Sequence, residues 1–366
     1  MQASVKTRKI AVIAGDGIGP EILEQALKVL EILNRFSGTD FAITRLPYSA
    51  EHYLHTRVTI PDEFIMELER NYDAILIGPL GDPRVPDGRH AREIILGIRH
   101  KLDLYFGYQR IKVYDSWMNP LKNSADSGID FFLIRENVES SLPKIGGNLY
   151  RGTDNEIATQ SFLYTRRAVE RFIRTAFQFA HDNGRRKIVL VHKNTLMTHL
   201  HELWIRIFQE TATTFPEAES EIVSIDTLMY DLLNDPGKFE VIVAPELIAD
   251  LIADVSLFLQ GGYGLAYISE INPGIIGTFR ITQNSAVKMA GHNRANPFGA
   301  MLATIDLLRY LDLKESADVV EKAVSQTLCK HMVTIDMGGI IGTEEVGNYV
   351  CEFITEQLQS KSPESS

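Results

Sequence analysis

Short apolar runs of strand length alternate with amphipathic stretches of helix length along most of this chain. KIAVIAG, FAITRL, DAILIG, DFFLIR, KIVLVH and FEVIVA read as strands, rich in β-branched and aromatic residues. PEILEQALKVLEILNRF, TRRAVERFIRTAFQFAHDNG and LHELWIRIFQETATTF carry their apolar residues at helical spacing, and Gly184 in HDNGRRK supplies a helix C-cap. Strand–helix alternation of this kind predicts an α/β architecture with a largely open sheet. There is no internal repeat, and only the tail QSKSPESS reads as disordered.

With 366 residues, the chain is long enough for one large or two ordinary domains with a well-buried core. A formal net charge of −11 argues against a basic footprint for nucleic acid. An acidic chain can still build a basic pocket, so a small anionic substrate remains open. Cys329 and Cys351 have no metal or redox spacing and read as thiols in a reducing compartment. MQASVKTRKI lacks the apolar centre of a signal peptide, and no run approaches the roughly 18 apolar residues of a membrane span. The expectation is a cytoplasmic protein with no nucleic-acid and no membrane partner.

The opening stretch KIAVIAGDGIGPEI looks like a phosphate-gripping turn. A dinucleotide fingerprint needs G-x-G-x-x-G, whereas Gly15, Gly17 and Gly19 are followed directly by Pro20. Pro20 and Glu21 suit the first turn of a helix, where a missing N–H and a negative charge are both tolerated. The stretch is better read as a tight strand-to-helix turn.

KIAVIAGDGIGPEI is instead similar to the start of the β-decarboxylating dehydrogenases, the family of isopropylmalate, isocitrate, homoisocitrate and tartrate/malate dehydrogenases. The resemblance continues through YDAILIGPLGDP, GIRHKLDLY, FFLIRENVES, VLVHKNTLM, DPGKFEVIVAPELIADLIAD, GGYGLA, MAGHNRANPFGAML and TIDMGGIIGTEEVG. It implies an isocitrate/isopropylmalate dehydrogenase-like fold: α/β, two domains, mixed β-sheets flanked by helices and a non-Rossmann cofactor site. Residues 1–107 and 260–366 are expected to form a large domain with both chain ends and the cofactor loop. Residues 108–259 are expected to form an inserted smaller domain with the metal site and the interface of a homodimer. The implied activity is oxidation of a small anionic 2-hydroxy acid of malate type with NAD or NADP and Mg²⁺ or Mn²⁺.

Residue by residue, the resemblance assigns roles. DLIAD puts Asp250 and Asp254 at i and i+4 on one helix face, and such oxygen ligands suit a hard divalent cation. Alone, such a pair is more often a solvated face. Asp226 aligns with the family's third carboxylate, expected across the dimer interface. Lys193 in VLVHKN matches the family lysine that takes the hydroxyl proton, with desolvation and a nearby metal expected to favour its neutral form. Arg99 and Arg135 match two of three arginines that pair bidentately with substrate carboxylates. Arg92, Ile95, Leu96 and Arg99 share a helix face that chooses the substrate's variable group, and a cation at Arg92 favours a polar or anionic one.

Several positions depart from the family. The third arginine is replaced by Gln109, and the neighbouring Arg110 would face the opposite side of a strand. The tyrosine expected to protonate the enol falls at Leu142. In the cofactor loop RITQNSAVKMAGHNRANP, Gln283 and Asn284 stand where His-Gly is usual, while Ser285, Ala286 and Asn296 are retained. Lys288 replaces an aspartate that holds the adenosine ribose in NAD-specific members, which tilts the expectation towards NADP. Glu246 replaces an asparagine expected near the nicotinamide, and Thr195 another after the lysine. These changes predict oxidation of an altered 2-hydroxy acid with decarboxylation impaired. The alternatives are a non-catalytic regulatory paralogue that binds a small acid, and a nicotinamide-free decarboxylase.

Overall fold

The computed structural model describes residues 6–121, 128–140 and 145–360. Leu142 and residues 361–366 of the tail lie outside them. β1 (Thr7–Ile13) leads into α1 (Gly19–Phe36), followed by β2 (Asp40–Leu46), α2 (Ala50–Thr56), α3 (Asp62–Asn71), β3 (Ala74–Ile77) and α4 (Arg89–Lys101). The middle of the chain forms β4 (Phe106–Lys112), β5 (Asp130–Glu136), a hairpin of β6 (Gly146–Leu149) and β7 (Ile157–Gln160), and α5 (Arg166–Asp182). It continues through β8 (Lys187–His192), α6 (Thr198–Ala212), β9 (Glu219–Ser224), α7 (Ile225–Asn234), β10 (Val241–Ala244) and α8 (Glu246–Gln260). β11 (Tyr267–Asn272), β12 (Ile276–Ile281), α9 (Phe298–Tyr310), α10 (Lys314–Cys329) and α11 (Thr343–Gln359) complete it.

The chain divides into two compact units. The first comprises Met1–Leu104, Val113–Pro120 and Leu257–Ser366, and the second Tyr105–Lys112 and Leu121–Ser256.

In the first unit the strands run in the order β2-β1-β3-β12-β11, parallel except for the antiparallel β11–β12 pair. β3 is buried at every residue, as parallel strands covered on both faces are. Ala11, Ile13, Ile75, Ile77 and Ile276 of the sheet pack with Ile65 and Leu68 of α3 and Ile94 and Ile98 of α4. Ile22, Ala26, Leu30 and Leu33 form the buried stripe of α1, three to four residues apart as the helical period requires.

In the second unit the order is β4-β5-β10-β8-β9, with β4–β5 antiparallel and the rest parallel. Phe179 of α5 sits among Phe106, Tyr108 and Phe132, with ring centroids 5.4, 4.7 and 5.1 Å away. Such aromatic clusters contribute beyond their buried area. The Thr165 hydroxyl caps the start of α5 by accepting the Ala168 N–H. At its end Gly184 takes φ +67°, and the N–H groups of Gly184 and Arg185 donate to His181 and Ala180, a Schellman closure.

Mixed sheets flanked by helices are the architecture the sequence led us to expect. The hairpin β6–β7 was not visible there, because GGNL and IATQ are exposed at every residue and carry no burial period. No described helix is long and apolar enough to cross a membrane.

Candidate active site

The glycine turn after β1 is a clamp between pieces of protein. Gly15 and Gly17 adopt φ +78° and +56°, and a Cβ on Gly17 would lie 1.9 Å from the carbonyl oxygen of Ser285. That carbonyl accepts the Ile18 N–H at 2.8 Å, so an amide at the start of α1 is spent on the chain itself. The Asp16 carboxylate gathers the N–H groups of Ala50 and Gly81, each at 2.7 Å, and His90 Nε2 at 2.8 Å. Glu21, in the first turn of α1, accepts the Gly291 N–H at 3.0 Å. The turn thus holds the loop of residues 282–297 at Ser285 and Gly291.

That loop divides its expected cofactor residues in two. Gln283 and Asn296 are buried: Gln283 donates to the Asn296 carbonyl at 3.2 Å, and Asn296 donates to Asp336 at 3.0 Å. A Cβ on Gly264 would meet the Asn296 amide at 2.3 Å, so the backbone must come close there to admit this pair. The hydroxyl of Ser285 donates to the Gly81 carbonyl at 2.6 Å, and Ala286 adopts the left-handed φ of +39°. Asn284 and Lys288 are exposed, as is Arg294. Lys288 and Arg294 have no ion-pair partner among the described residues. The exposed donors therefore fit a phosphate-bearing nucleotide, while Gln283 and Asn296 shape the loop from within.

The helix expected to face the substrate is α4. Arg92 is exposed, Ile95 and Leu96 are half-buried, and Arg99 is 4% exposed. Arg99 bonds Glu270 of β11 through Nη2. Glu270 itself had given no signal in the sequence, since a single glutamate inside YISEIN reads as an interruption of a strand.

In the second unit, β4 and β5 settle the arginine question by register. Gln109 pairs with Leu133 and Gly107 with Arg135, so Gln109 and Arg135 stand on one face. Arg110 pairs with Phe132 on the other face, where its Nε and Nη2 each lie 2.7 Å from an oxygen of Asp130. It does not substitute for Gln109, as the one-residue shift implied. Gln109 is buried and its Nε2 has no hydrogen-bond partner.

Arg135 reaches Asp250 on α8 with Nη1 and donates to Asn137 through Nε at 2.8 Å. Asp250 and Asp254 are exposed one turn apart. Glu246 lies one turn earlier and is buried. Glu136 is nearly fully buried, and desolvation pushes its carboxyl up to about 7, with the charges of Glu139 and Glu246 adding to the rise. Lys193, just after β8, places Nζ 2.5 Å from Oδ2 of Asp226. Its side chain is 27% exposed, so the expected desolvation is replaced by an acidic partner. The Lys193 N–H donates to Nδ1 of the buried His201 at 2.7 Å. Burial, with His192 adding, lowers His201 to about 4 and keeps it the neutral acceptor this bond requires.

Among the described residues of one chain, no three His, Cys, Asp or Glu side chains gather as a cation cage. Asp226 stands with Lys193, and the i,i+4 pair Asp250 and Asp254 offers the hard oxygen donors that Mg²⁺ or Mn²⁺ favours.

A family model described as isocitrate/isopropylmalate dehydrogenase matches residues 9–350. The chain belongs to the isocitrate/isopropylmalate dehydrogenase family. It is 33% identical to a 3-isopropylmalate dehydrogenase of Thermobifida fusca over 97% of this chain and 99% of that protein. It is 35% identical to a 3-isopropylmalate dehydrogenase of Frankia casuarinae over 87% and 92%. The crystal structure of isocitrate dehydrogenase from Methylococcus capsulatus superimposes with a TM-score of 0.84 at 26% identity, covering 95% of this chain and 99% of that one. As a dehydrogenase of this family the chain is an oxidoreductase, and family substrates are small hydroxy acids.

Proposed function

We propose that this chain catalyses the divalent-metal-dependent, NAD(P)-linked oxidation of a malate-type 2-hydroxy acid as a cytoplasmic homodimer. The observation that carries the proposal is the paired arrangement in the second unit. Arg135 is tied to Asp250 on the helix that bears Asp254, and Lys193 is tied to Asp226. Carboxylate grip, cation ligands and proton acceptor are thereby each oriented before substrate arrives.

Asp250 and Asp254, with Asp226 from a second copy, would hold the metal. When bound, a hard divalent cation stabilises the developing alkoxide and a nicotinamide supplies the hydride acceptor. Arg135 binds the substrate carboxylate. Lys193 takes the hydroxyl proton, with Asp226 aligning Nζ and the His201 bond fixing the backbone beneath it. The loop 282–297 positions the nucleotide, and the exposed Lys288 favours the 2′-phosphate of NADP. The two compact units would serve as the family's two domains.

Tyr230 and Leu233 on α7, and Leu247 and Leu251 on α8, are exposed apolar side chains that the partner in a homodimer would cover. Calorimetric titration of NADP⁺ and NAD⁺, with Mg²⁺ and with malate present and absent, tests the reading. Nucleotide binding followed by acid-dependent reduction supports it. If neither nucleotide binds under any of these conditions, it falls.

A further inference from the structure

A buried histidine anchors the turn after β1 from the side of α4. His90, the second residue of that helix, is 0% exposed, so no ligand reaches it. The ring of Tyr53 on α2 stacks on it, with centroids 6.3 Å apart and planes 19° from parallel. Its Nε2 lies 2.8 Å from Oδ2 of Asp16, while its Nδ1 is buried with no hydrogen-bond partner. An ionised carboxylate only accepts, so Nε2 carries the hydrogen and Nδ1 presents a bare lone pair. The whole polar contribution of the ring is therefore one bond to Asp16.

That bond enters a closed cycle. Asp16 also accepts the Ala50 N–H at Oδ1 and the Gly81 N–H at Oδ2, each at 2.7 Å. The Gly81 carbonyl accepts the Ser285 hydroxyl at 2.6 Å, and the Ser285 carbonyl accepts the Ile18 N–H at 2.8 Å. Ile18 lies two residues beyond Asp16, which closes the ring. Every member belongs to the first unit.

The three donors on Asp16 differ in what stands behind them. Ala50 begins the short helix α2 and Gly81 lies in a loop. His90 stands on a 13-residue helix whose Ile94 and Ile98 are locked in the core. It is also the one side-chain donor of the three, and a hydrogen bond to an ionised acceptor is about twice as strong as a neutral one. A loop held in its binding conformation from a rigid element loses less freedom when a ligand arrives, and binds it more tightly.

We propose that His90 is a positioning residue for the nucleotide. Through Asp16 and Gly81 it holds Ser285, and with Ser285 the loop 282–297, in place before the nucleotide binds. This rests on the dehydrogenase reading given above and adds to it a residue that acts only through another.

Titration calorimetry of NADP⁺ and NAD⁺ with Mg²⁺ present, alongside thermal melts, tests this on three proteins. His90→Phe keeps a ring against Tyr53 and removes the donor, and Kd is expected to rise by about 10-fold or more relative to the wild type. His90→Gln restores an N–H at a similar reach and should recover most of that loss. A role in folding alone would lower the melting temperature of His90→Phe and leave Kd unchanged, which overturns the proposal, as does a Kd that His90→Gln fails to recover. If His90→Phe does not fold, hydrogen exchange on the wild type decides. Nucleotide should slow the Ala50 and Gly81 amides together with that of Ile18, and protection confined to Ile18 overturns the proposal. Binding of neither nucleotide sinks the dehydrogenase reading and this proposal with it. The expected pattern of Kd values without turnover would sink that reading and leave the role of His90 standing.

Discussion

The backbone N–H of Ile18 donates to the carbonyl of Ser285 over 2.8 Å, tying the turn after β1 to the loop after β12. A helix start preceded by glycines is a ready site for a phosphate. Here its amide has a protein acceptor, and Gly17 is a glycine because Ser285 leaves no room for a Cβ. The turn shapes the loop.

Gly17→Ala is therefore expected to destabilise the protein and loosen that loop. The left-handed backbone alone costs an alanine about 1–2 kcal/mol, before the clash at Ser285 is counted. Thermal melts should show a drop of several degrees, with nucleotide affinity falling in parallel. An unchanged melt and unchanged affinity would refute the clamp.

Lys193→Met removes the proton acceptor while keeping the length of the side chain. kcat should fall by about 10²- to 10⁴-fold with nucleotide affinity preserved, which steady-state kinetics and calorimetry together would establish. A loss confined to KM would instead make Lys193 a binding residue.

Lys288→Asp reverses the exposed charge on the cofactor loop. Affinity for NADP⁺ should drop by about 10-fold or more, whereas NAD⁺ binding should hold or improve. Equal effects on the two nucleotides would separate Lys288 from the 2′-phosphate.

Two buried groups give stability a two-sided dependence on pH. Glu136 is raised from 4.5 to about 7 by burial, so its contribution is fully present below pH 4.5 and is lost as pH rises through 7. The shift corresponds to about 3 kcal/mol, and Glu136→Gln should abolish this alkaline limb of the unfolding profile. His201 is lowered from 6.5 to about 4, so its contribution is present above pH 6.5 and is lost as pH falls through 4. Protonation there removes the acceptor for the Lys193 N–H, and His201→Phe should flatten the acid limb in the same denaturation series. Limbs that persist in the variants would assign the dependence elsewhere.

Much of this molecule is local enough to read directly from the chain. Continuous apolar runs marked β1, β3 and β8, which are buried on both faces over most of their length, and the 3.6-residue period marked α1 and α5, which bury one face. The i,i+4 spacing of Asp250 and Asp254 needed only a helix, and the wrong-sidedness of Arg110 needed only a strand. The glycine spacing was enough to reject a dinucleotide fingerprint, though not to say what the turn held instead. Other facts depended on partners far along the chain. Arg99 meets Glu270 across 171 positions, and Lys193 meets Asp226 across 33. Gln283 donates to the carbonyl of Asn296 across 13 positions, and both are buried. Sequence alone determined which faces are buried and which residue types are on hand, since these follow from the geometry of one element. Only the tertiary structure decided which charges are already spent on one another, because register and long-range packing choose each side chain's partner.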